Sequence, residues 1–168
     1  MIRQAIKLFL LLNSETSAWQ LALGASFGMI LGFTPFLSLH NLVVVFLLLA
    51  LRVNISFALL FWGICSGFAY LLDNQFHQLG WSILNAPALI DLFSAMYNHP
   101  LWRWTKFNNT VVIGSLLASL LLFFPLAAAL KWAIVRYRLR WQARVEKLRV
   151  VQALKASRWF NSLNQLGE

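Results

Sequence analysis

The chain has 168 residues, 60% of them hydrophobic and only 11% charged. A soluble domain of this size carries about 25% charged residues, so there is too little polar side chain here to cover a water-facing surface. Net charge is +9, with fourteen Lys and Arg against five Asp and Glu, and nine of the basic residues fall between Lys131 and Arg158. In so apolar a chain that cluster marks a cytoplasmic face touching anionic headgroups rather than a nucleic-acid site. Cys65 is the only cysteine, which excludes an intramolecular disulfide and a thiol-rich metal centre.

The first twelve residues carry Arg3 and Lys7 ahead of a short apolar stretch, but no small-residue cleavage site precedes Asn13-Ser14-Glu15. They are expected to form an uncleaved amphipathic helix at the interface. Ser17-Ala18-Trp19-Gln20 has capping-box spacing, so a helix is expected from Ala18 to Phe33, where Pro35 follows. Gly24, Gly28 and Gly32 recur every fourth residue and lie on one helical face. Glycines in that register let a second backbone approach closely, so they are assigned to helix packing, within this chain or against another.

Residues 34–41, Thr-Pro-Phe-Leu-Ser-Leu-His-Asn, break the helix. Pro35 has no amide hydrogen and disfavours helix at Thr34. The apolar run 42–51 then covers only about 15 Å, half of a hydrocarbon core. Two readings stand for residues 18–51: a re-entrant helical hairpin with its tip at 34–41, or two short full crossings. A fuller span is expected over 55–72, ending at Asp73-Asn74, and another over 111–130, with Asn108-Asn109-Thr110 as N-cap and Pro125 as a kink. Between them, 73–109 is rich in Trp, Leu and Phe and broken at Pro87 and Pro100, so it is expected to lie on the membrane surface. The chain thus divides into a membrane domain, 1–130, and a basic helical tail, 131–168. The fold class is all-α: a polytopic helical membrane protein with short broken or re-entrant helices, two fuller spans and a basic C-terminal helix. The positive-inside rule places both termini in the cytoplasm, which requires an even number of crossings and puts 73–109 outside.

Few residues here carry chemistry. Arg52 is either a snorkelling residue at the interface or, with Asn54, a contact for a lipid phosphate or anionic substrate. His40 is either a packing residue or part of a site. If the hairpin is real, Pro35, Ser38, His40 and Asn41 sit where the ends of two half-helices meet, an arrangement that builds binding sites in transporters. These six residues are the candidate substrate or lipid contacts. Asp73 and His77 share a helical face, but two ligands do not make a metal site. No nucleophile–base pair, phosphate-binding glycine loop or paired carboxylates are found, so no catalytic residue, metal or cofactor is assigned.

The stretches ALGASFGMILGFTPFLSLHN, LRVN, LLDNQFHQLG and FNNTVVIGS, in that order, resemble a family of uncharacterised inner-membrane proteins of bacteria with two membranes, itself part of a broader group of small membrane domains of unknown function. The likeness covers roughly residues 1–130. Members are typically encoded beside an AsmA-like protein, a type that forms hydrophobic grooves across the periplasm and is implicated in moving phospholipid to the outer membrane. The resemblance therefore implies a non-enzymatic inner-membrane subunit with an AsmA-like partner and phospholipid as cargo, acting as anchor, gate or lipid passage. The alternatives from the residues themselves are a small-solute or ion transporter working as a homo-oligomer, and a structural scaffold whose basic tail docks on anionic lipid.

Overall fold

A computed structural model describes residues 16–140. Among these residues there are six α-helices and no strand: α1 (Ala18–Phe33), α2 (Leu39–Ala50), α3 (Ile55–Leu84), α4 (Ile90–Asn98), α5 (Pro100–Trp104) and α6 (Thr110–Arg140). The expected interfacial helix at the N-terminus and the tail beyond residue 140 lie outside the described residues.

The all-α class read from the sequence holds. α1 starts at Ala18 because Ser17 and Gln20 cap it reciprocally: the Trp19 amide donates to Ser17 Oγ (3.3 Å) and the Ser17 amide to Gln20 Oε1 (3.3 Å). It ends at Thr34, whose extended backbone (φ −90°, ψ 148°) is what a following proline imposes. Eleven of its sixteen residues are buried, so α1 is the core of the molecule.

The three glycines of α1 face α3. A Cβ on Gly24 would stand 2.5 Å from the Asn54 carbonyl oxygen, one on Gly28 would run into the Ala58 carbonyl, and one on Gly32 would stand 2.6 Å from Cys65 Cβ and 2.9 Å from the Trp62 carbonyl. Both sequence numbers rise together along this contact, so α1 and α3 run parallel. α6 crosses the other side of α1 in the opposite sense. Phe27 meets Phe123 ring to ring at 5.0 Å, and lower down Leu21 and Ala25 pack with Phe57 and Ile134. α2 carries the chain back between the parallel pair. Only Asn41, Val44 and Leu48 of α2 are buried, and its other faces expose apolar side chains such as Leu42, Phe46 and Leu49.

Two expected boundaries shift. α3 does not stop at Asp73-Asn74 but continues to Leu84. Asp and Asn are only weakly unfavourable within a helix, and no proline occurs until Pro87. The added turns have their own close contact, because a Cβ on Gly80 or Gly114 would strike the Thr110 or Phe76 carbonyl respectively. α2 begins at Leu39 rather than residue 42, so His40 and Asn41 belong to its first turn. Asn109 Oδ1 accepts from the Val111 (2.9 Å) and Val112 (3.2 Å) amides and caps α6. α6 passes both Pro125 and residue 130 as one helix, and Ile134 beyond them is buried against α1.

α3 and α6 are each long and apolar enough to cross a membrane. Such helices also occur in the cores of soluble proteins, but there they are buried. Here only 17% and 33% of their most apolar stretches are covered by protein.

Replacing Gly28 with Ala should destabilise the fold by about 1–3 kcal/mol, since neither backbone can move independently. Gly63→Ala, on the same helix as the contacted Ala58 but with nothing within 4 Å, should cost nothing and gain up to about 1 kcal/mol of helix propensity. Unfolding in mixed detergent followed by circular dichroism compares the two.

Candidate functional site

The break between α1 and α2 is closed by two side chains. Thr34 Oγ1 lies 2.7 Å from the Ile30 carbonyl and 2.8 Å from Asn41 Oδ1, so its one proton is shared between them. Asn41 Nδ2 donates to the carbonyls of Pro35 (3.0 Å) and Phe36 (3.3 Å). Thr34 and Asn41 are each 4% exposed. Away from water each of those carbonyls would be costly to leave unpaired, so this latch permits a proline break inside an apolar bundle.

Beside the latch, two polar atoms have no partner: Ser38 Oγ and His40 Nε2 are both buried without a hydrogen bond. Pro35 itself is exposed. Arg52 and Asn54 lie at the far end of α2. Asn54 Oδ1 accepts from the Phe57 amide (2.8 Å) as the N-cap of α3, and the Asn54 amide donates to the Gln20 carbonyl (3.2 Å). Arg52 is exposed. The six candidate residues therefore form two groups. Pro35, Ser38, His40 and Asn41 share the hairpin apex, whereas Arg52 and Asn54 share its base. The rigid α2, twelve residues or about 18 Å long, holds the groups apart. The three glycines form neither group but set the α1–α3 contact.

Cavities open on two sides of the apex. One, about 320 Å³, lies between the end of α1 and the middle of α3, with Trp62, Ser66, Tyr70 and Asp73 in its wall. The other, about 310 Å³, lies between His40 and Val43 of α2, Trp102 and Phe107, and Ile113 and Leu116 of α6. A third, about 580 Å³, lies where α3 ends, between Leu84, Tyr97 and Asn108. At the base of the hairpin the charges are cationic. Lys131 Nζ stands 5.2 Å over the Trp19 ring, Arg136 stands 5.1 Å over Trp132, and Arg138 Nη1 donates to the Thr16 carbonyl (2.9 Å).

Sequence reasoning singled out neither Thr34 nor Trp62, and it weighed Asp73 only as half of a metal site with His77. In the structure Asp73 lines a cavity while His77 Nδ1 bonds Thr110 Oγ1 at 2.7 Å. The available signal was the spacing of Trp62, Ser66, Tyr70 and Asp73, which places them on one stripe of α3. Among the described residues no group of three or more His, Cys, Asp or Glu side chains is placed to hold a metal ion.

The family model described as "Uncharacterized protein conserved in bacteria (DUF2062)" matches residues 2–142. An uncharacterised protein of Treponema pallidum (strain Nichols) is 28% identical over 138 residues, covering 82% of this chain and 85% of its own. No solved structure matches.

Asn41→Ala should destabilise the protein by about 1–3 kcal/mol, because it strands the Pro35 and Phe36 carbonyls and removes the Thr34 acceptor. Ser38→Ala, which deletes a buried hydroxyl that already lacks a partner, should leave stability unchanged or raise it by about 1 kcal/mol. Detergent unfolding midpoints of the two variants check this contrast.

Proposed function

The chain belongs to the DUF2062 family of uncharacterised bacterial proteins, and on that footing we propose that it is a non-enzymatic inner-membrane subunit which partners an AsmA-like periplasm-spanning protein in phospholipid transport, as anchor, gate or lipid passage. One observation carries the passage role: a latched hairpin too short to cross a bilayer, with a cavity on either side of its apex. α1 and α2 rise about 24 and 18 Å, against a hydrocarbon core of about 30 Å. In this reading only α3 and α6 cross, and the hairpin enters from the cytoplasmic side and turns back. The exposed apolar surface of α2, α3 and α6 supports a lipid surround. The aromatic and basic residues from Trp19 to Arg138 suit a cytoplasmic headgroup layer, and α4 and α5, with Trp102 and Trp104, suit the opposite interface.

The bilayer beside the hairpin is thereby replaced by protein over only part of its depth. A lipid can then leave its leaflet beside the apex without parting two full-length helices. The AsmA-like partner rests on the resemblance of the sequence motifs, and the proposal assigns contact with it to the third cavity, at the end of α3. Phospholipid cargo rests on the same resemblance and on the size and apolar walls of the cavity beside His40.

Affinity purification of the full-length protein in mild detergent should bring down an AsmA-like protein; recovery of this chain alone, from cells that contain the partner, counts against the proposal. The topology has its own check. In a Cys65→Ser background, Asn85→Cys should react with an impermeant maleimide added outside spheroplasts, and Leu139→Cys only after permeabilisation. Labelling of residue 85 from the cytoplasmic side alone would overturn the orientation.

A further inference from the structure

We infer that the cavity between the end of α1 and the middle of α3 is a recognition site for the ammonium headgroup of a zwitterionic phospholipid. This rests on the lipid reading above and names the class of lipid. Three independent features of the cavity converge on a cation. The first is Asp73, an exposed residue that lines the cavity and has, among the described residues, no paired cation and no hydrogen bond; no Lys, Arg or His lines the cavity with it. The second is the end of α1. The amide that would cap the Leu31 carbonyl belongs to residue 35, which is proline and has no hydrogen to give. The negative end of the α1 dipole therefore falls in the same wall, at Leu31, Gly32 and Phe33. The third is aromatic. Phe36 and Trp62 stack at 5.6 Å, Phe33 meets Phe76 at 5.3 Å, and Tyr70 completes the lining.

A carboxylate beside aromatic rings is the chemistry that binds organic ammonium ions. It is poor chemistry for a bare metal ion, which needs about six or more oxygen ligands in a compact shell. The volume, about 320 Å³, exceeds what an ammonium group needs alone, and the exposed rings of Phe36 and Tyr70 leave room for the rest of a lipid. A headgroup entering from the side would set its ammonium against Asp73 and Trp62 while its chains stay along α3.

The test uses the full-length protein in mild detergent, with phospholipids of matched chains that end in ethanolamine or in glycerol, and reads bound lipid by native mass spectrometry. The wild type should retain the ethanolamine lipid about tenfold better. Asp73→Asn, isosteric and at an exposed position, should bring that ratio near one. Trp62→Leu should lower it by about threefold. Free phosphoethanolamine at the same concentration should not displace the lipid. Equal retention of both lipids by the wild type, a ratio unchanged in both variants, or ready displacement by the free headgroup would each overturn the inference. Equal retention leaves the broader lipid reading standing; if neither lipid is retained, both fall.

Discussion

The fold depends on how closely the backbones of α1 and α3 approach each other. Gly24, Gly28 and Gly32 present no side chain, and the carbonyls of Asn54, Ala58 and Trp62 occupy the space that Cβ atoms would fill. In lipid such contact takes the place of the hydrophobic force that drives helices together in water. The contact is parallel, and that single fact dictates the connectivity. Two parallel helices adjacent in sequence need a return segment, so α2 exists to bring the chain back. Its poor burial reflects that role.

The same constraint shapes the candidate site. A return segment must reverse at its top, and Pro35 makes the reversal abrupt. An abrupt reversal in an apolar bundle exposes carbonyls that only nearby side chains can satisfy. Thr34 and Asn41 satisfy some of them, while Ser38 Oγ and His40 Nε2 stay buried without a hydrogen bond beside them. The polarity around the hairpin apex thus follows from the helix break itself.

Much of this was legible in the sequence. The bounds of α1 follow from a capping box and a proline, and the start of α6 from Asn109. The glycine register was visible, although no one-dimensional pattern says whether its partner lies in the same chain. The length of α3 is hidden because Asp73-Asn74 looks like a boundary by polarity, while helix continuity is decided by backbone chemistry. The separation of Arg52 and Asn54 from His40 and Asn41 was legible, because the apolar run 42–51 between them reads as a helix of about 15 Å. Gly80 gave no signal alone; its meaning comes from the Thr110 backbone, thirty residues on.

The parallel α1–α3 contact also fixes an order of assembly. Gly24 is made long before its partner Asn54, Gly28 before Ala58, and Gly32 before Cys65 and Ser66. At a synthesis rate of about 5–20 residues per second, the glycine face waits about 2–7 s for the helix that covers it. During that interval α1 is a sixteen-residue segment whose glycine face is not yet covered by α3. The reciprocal Ser17–Gln20 cap and the Ser26 Oγ bond to the Ala22 carbonyl (3.1 Å) are stabilising contacts it carries within itself. The hairpin is therefore a late guest in its own bundle, seated only when α3 has emerged.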